Sequence, residues 1–282
     1  MNINKIGVLG AGIMGQGIAQ ICAEAGYATV VVDIAPAVLE KCQKGIEKAW
    51  QKAVAKGKIN DNDHLEFKGR IAFGTDLESF KDCDVVIEAV LENMSIKKTV
   101  FQQLDEICPE DTIFATNTSA LSITEIAAST NRSSRVVGMH FFNPVPAMKL
   151  IEIIPATETS EEVVRVAMDL AVSLGKEPIR VKESPGFVVN RILAPYMIEA
   201  YFVLQEGLAS AEDIDKAMKL GAGMPMGPLE LADLVGLDIS LNVAEYLFNE
   251  FGDSKYRPAT ILKQKVRAGH LGIKAGKGFH NY

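Results

Sequence analysis

Between Lys5 and about Ile154 the chain alternates short β-branched runs with longer helical patterns. The runs are Ile6 to Leu9, Thr29 to Val32, Ile71 to Phe73, Val85 to Ala89, Thr112 to Thr116 and Val136 to Met139. That alternation predicts an α/β domain, a mostly parallel sheet with helices on both faces. The stretch from Asp33 to Arg70 is too long and too charged for an ordinary crossover. It reads as a long inserted helical pair, with Ala37 to Lys56 as the main helix and His64 in a charged loop.

Further strands are expected at Leu150 to Ile154 and Ile179 to Val181, after which Glu183-Ser184-Pro185-Gly186 interrupts the pattern. This places a domain boundary between residues 1–184 and 185–282. Beyond it only helix signals occur: Ser210 with Asp213 resembles a capping box, Gly221 is a stop, and Gly227-Pro228 starts another helix. The second domain is therefore expected to be all-α. Phe187 to Leu204 is apolar nearly all round, which predicts a helix covered on both faces, one cover being a subunit interface. Asn190, Arg191, Pro195 and Glu199 within it argue against a membrane span.

Composition narrows the partners. The 282 residues are 48% hydrophobic and 23% charged, enough apolar surface to exclude disorder. A net charge of −7 argues against a nucleic-acid footprint, so any anionic ligand must be met by a local cluster of cations. Cys22, Cys42, Cys83 and Cys108 form no CxxC pair, and no metal-ligand set is assigned. A reducing compartment is the simplest reading. The first strand begins by about Ile6, leaving no room for a targeting segment, so a cytoplasmic location is expected.

Ile6 to Leu9 runs into Gly10-Ala11-Gly12-Ile13-Met14-Gly15 and then a helix, and Asp33 closes the next strand eighteen residues after Gly15. Gly10 permits the tight turn, Gly12 lets backbone approach a pyrophosphate, and Gly15 lets helix and strand pack closely. Asp33 would hold the adenine ribose, and its charge favours NAD over NADP without excluding the latter.

His140 follows an apolar strand, at the edge where ligands bind in such sheets. The alternative is a core histidine satisfied by backbone groups. Glu152 lies in Leu150-Ile151-Glu152-Ile153-Ile154, on the face of Leu150 and Ile154, so its carboxylate should enter an apolar layer and need a partner. The proline-containing turn between them is short enough to bring the two together. A carboxylate behind an imidazole suits proton transfer to or from a hydroxyl during hydride transfer. Asn117-Thr118-Ser119 directly follows the strand ending at Thr116, at the same edge, and reads as substrate or nicotinamide contact or as turn chemistry. Asn190, in the first turns of an apolar helix, would meet a substrate carbonyl or bond across the domain boundary. Lys44, Lys48, Lys52 and Lys56 form an i, i+4 stripe that suits an anionic carrier or is simply a solvated face.

Together GAGIMGQGIAQ, IEAVLENMSIKK, ATNTSALSI, GMHFFNPVPAMKLIEII, ESPGFVVNRIL, EDIDKAMKLGAGMPMGPLELAD and the terminal GKGF resemble the (S)-3-hydroxyacyl-CoA dehydrogenase family, closest to its short bacterial members. The resemblance spans essentially the whole chain. It implies a Rossmann-type NAD-binding domain, an all-α domain for substrate binding and dimerisation, and reversible hydride transfer between a 3-hydroxyacyl-CoA and NAD(H). It further implies His140 as general acid/base, Glu152 as its orienting partner, and Ser119 and Asn190 at the reacting oxygen. Glu92, Lys97, Asn117, Ser119, Asn143 and Lys274 would lie near NAD, beside Gly10, Gly12, Ile13, Met14, Gly15 and Asp33. Lys52 and Lys56 would meet CoA, and a homodimer is implied. Two positions depart from the family pattern: a serine of some relatives is Ala49, and a tyrosine near the end is His280. The rivals are a dehydrogenase of free 3-hydroxy acids or sugar acids, and a non-catalytic NAD-binding relative.

Overall fold

The structure is a computed structural model that describes residues 2–282. Its chain divides into two compact units, Met1–Glu183 and Ser184–Tyr282.

The first unit is built on β1 (Lys5–Leu9), α1 (Ile13–Glu24), β2 (Ala28–Val32), the inserted helices α2 (Pro36–Ala55) and α3 (Asp61–Arg70), and β3 (Ile71–Gly74). There follow β4 (Val85–Glu88), α4 (Met94–Ile107), β5 (Ile113–Thr116), α5 (Ile123–Ala127), β6 (Val136–Phe141), β7 (Leu150–Pro155), α6 (Glu161–Ser173) and β8 (Glu177–Arg180). The eight strands form one sheet in the order β3-β2-β1-β4-β5-β6-β7-β8. All neighbours are parallel except β6 and β7, whose short connection forces an antiparallel pair. The order reverses beside β1, and the crevice at the ends of β1 and β4 is where sheets of this topology bind their ligands.

Ile6, Val8, Ile87, Val137 and Ile153 are buried in this sheet's core with Ile18, Ile46 and Trp50 from the helices. Each such side chain contributes roughly 1.5–3 kcal/mol by leaving water. The last strand differs from expectation: β8 begins at Glu177, two residues before the predicted Ile179, because this edge strand is mostly exposed and its pairing, not its apolar pattern, defines it. His64 also differs. It lies on α3 rather than in a loop, its Nε2 3.1 Å from Glu47 Oε1 and its ring against Trp50, so it fastens α3 to α2.

The second unit comprises α7 (Val189–Gln205), α8 (Ala211–Gly221), α9 (Pro228–Val235), α10 (Leu237–Phe251) and α11 (Thr260–Arg267). Ser210 caps α8 by accepting from the Asp213 N–H, and Gly227-Pro228 opens α9. The apolar segment is shorter as a helix than its pattern suggests, since Gly186 and Phe187 both have left-handed backbone (φ 73° and 52°) that a right-handed helix cannot include. Nor is α7 covered all round by its own chain, for Ile192 is 68% exposed. His280 closes the unit: its Nε2 lies 2.7 Å from Asp215, a buried carboxylate that also accepts the Leu229 and Glu230 N–H groups. Among the described residues no helix is long and apolar enough to cross a membrane.

Candidate active site

His140 and Glu152 occupy facing positions in the register of β6 and β7, and both are buried. His140 Nδ1 lies 2.7 Å from Glu152 Oε2. A carboxylate only accepts, so Nδ1 carries the proton, and Nε2 is the basic ring atom in this tautomer. Both groups sit on central strands, which lock their rotamers more tightly than a loop would. The Phe142 ring lies 4.5 Å from the imidazole, covering it on one side. An unpaired carboxylate at this depth would cost several kcal/mol, which explains why the apolar strand carries a glutamate only opposite a histidine.

The ends of β4 and β5 carry a second polar group. Glu88 is fully buried and accepts from Val90 N–H and Lys97 Nζ at Oε1 (2.7 and 2.6 Å) and from Thr116 Oγ1 at Oε2 (2.7 Å). Lys97 Nζ also lies 3.3 Å from Glu92 Oε2. The other Glu92 oxygen accepts from Thr118 Oγ1 (2.6 Å) and from the Ser119 N–H (2.8 Å). Thus Glu92 orients the loop that carries Ser119, while Lys97, only 1% exposed, sits behind Glu92. Asn117 accepts the Phe141 N–H through Oδ1 (2.9 Å), joining that loop to the strand bearing His140. Glu88 and Thr116 are not singled out by sequence pattern as site residues. The signal that could have found them is an acid closing the otherwise apolar Val85–Ala89 run at the ligand edge.

The glycine loop tests whether a dinucleotide fits. Gly10 has φ 99°, and a Cβ there would lie 2.6 Å from the Ala89 carbonyl oxygen. A Cβ on Gly15 would sit 1.8 Å from the Gly10 oxygen, so helix and turn are in closest contact there. Around Gly12, by contrast, a Cβ would meet nothing within 4 Å, which leaves open space over the start of α1. No side chain caps that helix and its first turn holds no acid, so its N–H groups remain available to an anion. Ile13 is exposed and Met14 half-buried at this turn. Asp33 accepts from Ala11 N–H (2.8 Å) and Ala35 N–H (2.9 Å), one per carboxylate oxygen, and each oxygen keeps a lone pair for a ribose hydroxyl. These residues fit NAD.

The remaining sequence candidates are dispersed. Asn143 is exposed in the connection after β6. Lys52 on α2 and Lys56 at its C-terminal cap are exposed, as are Lys44 and Lys48. Lys44 pairs with Glu40, whereas among the described residues no carboxylate lies within ion-pair distance of Lys48, Lys52 or Lys56. In the second unit, Asn190 stands in the first turn of α7 and Lys274 is bonded to Asp238 at 2.6 and 2.7 Å.

Residues 5–184 match the family model described as "3-hydroxyacyl-CoA dehydrogenase, NAD binding domain", and residues 186–282 match "3-hydroxyacyl-CoA dehydrogenase, C-terminal domain". The chain is 49% identical to a 3-hydroxybutyryl-CoA dehydrogenase of Clostridioides difficile, over 99% of each chain. It is 43% identical to the human mitochondrial hydroxyacyl-coenzyme A dehydrogenase, over 99% of this chain and 91% of that one. The crystal structure of (S)-3-hydroxybutyryl-CoA dehydrogenase from Ralstonia eutropha superposes with a TM-score of 0.96 at 47% identity, covering 100% of this chain and 99% of that one.

Proposed function

The chain belongs to the 3-hydroxyacyl-CoA dehydrogenase family, and we propose from that membership that it oxidises (S)-3-hydroxyacyl-CoA reversibly with NAD, with 3-hydroxybutyryl-CoA and acetoacetyl-CoA as its substrate pair. The observation that carries the reading is the buried His140–Glu152 pair at 2.7 Å. NAD, when bound, supplies the hydride acceptor, and NADH the donor. In the oxidation direction His140 Nε2 takes the C3 hydroxyl proton while that oxygen becomes a carbonyl. Glu152 holds the ring by Nδ1 and stabilises the imidazolium that forms. In reduction the same nitrogen returns the proton.

Ser119 and Asn190 are assigned to the reacting oxygen. Gly10, Gly12, Ile13, Met14 and Gly15 are assigned to the pyrophosphate and Asp33 to the adenine ribose, supported by the open space above Gly12 and the two N–H bonds that hold Asp33. Glu92, Lys97, Asn117, Asn143 and Lys274 complete the proposed cofactor set, with Lys97 acting from behind Glu92. Lys52 and Lys56, which have no carboxylate within ion-pair distance among the described residues, are the proposed contacts for the phosphates of CoA. The exposed Ile192 on α7 supports a homodimer formed through the helical unit. A cytoplasmic location agrees with four buried, unpaired cysteines.

The test compares NADH oxidation by the purified protein with acetoacetyl-CoA and with free acetoacetate at equal concentration. Turnover confined to the thioester is the expected result. Equal rates would transfer the assignment to a dehydrogenase of free acids, and no rate with either would leave a nucleotide-binding protein with another role.

A further inference from the structure

The connection between β6 and β7, residues 142–149, begins beside His140 and ends just before the strand that carries Glu152. It contains Pro144 and Pro146, which have no N–H to donate, and its internal backbone bonds run from Ala147 and Met148 to the Pro144 carbonyl. Two further carbonyls, of Val145 and Met148, accept from one side-chain ammonium. Lys176 Nζ lies 2.5 Å from the Val145 oxygen and 2.8 Å from the Met148 oxygen.

Lys176 stands between α6 and β8 and is 8% exposed. Among the described residues no carboxylate lies within ion-pair distance of it, and burial pushes its pKa below that of an ordinary lysine. Holding a cation there costs desolvation energy that an apolar side chain of the same size would avoid. What the cation does is seat the connection. The Val145 side chain also packs against α1, where a Cβ on Gly17 would come within 2.7 Å of Val145 Cβ. The corner is thus held by both α1 and Lys176, and its first residue, Phe142, covers the His140 ring.

We propose that Lys176 is a positioning residue for the His140–Glu152 pair, acting through the Val145 and Met148 carbonyls. The inference rests on the catalytic reading of that pair. Misplacing a reacting group by about 1 Å can cost on the order of 100-fold in rate. Loss of the clamp should therefore lower kcat much more than it weakens binding of either substrate.

The experiment uses the full chain with Lys176→Met, which keeps the apolar stem and removes the donors, and Lys176→Arg, which restores them. Turnover of acetoacetyl-CoA, NADH affinity and the melting temperature are measured. So is the downfield proton resonance of the His140 Nδ1–H, a signal that needs no turnover. The expected result for K176M is a fall of about tenfold or more in kcat, both KM values within about threefold, and a shifted or broadened resonance. K176R should recover most of kcat. A folded K176M with unchanged kcat and resonance would overturn the proposal. Should K176M not fold, K176Q, whose shorter amide reaches fewer of the two carbonyls, is read by the same two criteria. Failure of the wild type to turn over would count against the catalytic reading alone, because the resonance still reports whether Lys176 holds the pair.

Discussion

Glu152 lies directly across from His140 at the seam where the parallel sheet turns antiparallel, its Oε2 2.7 Å from the imidazole Nδ1. The seam sets both the distance and the tautomer. Facing residues in an antiparallel pair are close enough for side chains to bond directly, and the carboxylate at Nδ1 leaves proton exchange to Nε2.

Removing either member should therefore damage chemistry more than binding. His140→Ala is expected to lower kcat by about 10²–10⁴-fold with NADH affinity largely retained. Glu152→Gln should lower kcat while keeping the fold, since the amide preserves volume at a fully buried site. Steady-state kinetics with parallel NADH titrations check both, and near-wild-type turnover of His140→Ala would sink the assigned role.

The glycine loop offers a contrast between space and contact. Gly12→Ala adds a methyl group into the opening proposed for the pyrophosphate, so its melting temperature should stay near wild type while NADH affinity drops at least tenfold. Gly15→Ala drives a methyl group into the Gly10 carbonyl and should lower stability by several kcal/mol, a large fraction of any domain's total. Equal melting temperatures for the two variants would contradict the packing described.

Asp33 should govern cofactor choice. Asp33→Ser removes the charge that repels a 2′-phosphate, so the ratio of kcat/KM for NADH over NADPH is expected to fall by at least tenfold. An unchanged ratio would place discrimination elsewhere.

Charge reversal on the inserted helix should act on one substrate alone. The double variant Lys52→Glu/Lys56→Glu is expected to raise KM for acetoacetyl-CoA several-fold, leave KM for NADH unchanged, and weaken the salt dependence of the former. If both KM values rise together, the helix has a structural role instead.

Acid stability of the helical unit provides a test independent of catalysis. Lys219, bonded to Glu230 at 2.9 and 3.0 Å, holds its carboxyl below the ordinary value of 4.5, with help from the Gly227 N–H. The folded value lies below the unfolded one, so the stabilisation is complete above 4.5 and is lost as pH falls through the folded value. Glu230 is about two-fifths exposed, so the gain is at most about 1 kcal/mol. Urea midpoints of wild type and Glu230→Gln should differ near pH 6 and converge as pH drops below about 4.5. A gap that stays constant with pH would show that the pair contributes nothing through charge.

Much of the candidate site was legible because it depends on local rules. A glycine turn between a strand and a helix, with an acid at the end of the next strand, has one dominant physical use. An acid and a histidine placed among apolar strand positions must find partners. Lys97 and Glu88 show where such reading stops. No local pattern marks either one, Lys97 being named only through the family resemblance, yet they meet at 2.6 Å across the end of β4 and the first turn of α4, and burial turns them into a support for Glu92. His280 likewise gains its partner, Asp215, only from the packing of the last residues against α8.

The sequence by itself determined the alternation of strands and helices, the nucleotide loop and the helical character of the C-terminal unit, because each is set by side-chain periodicity and turn chemistry within a few residues. Only the tertiary structure decided which carbonyls Lys176 holds, which carboxylate backs Lys97, where β8 begins and how much of α7 its own chain leaves exposed. Those outcomes depend on which surfaces meet at long sequence separation, and on desolvation, which no local pattern records.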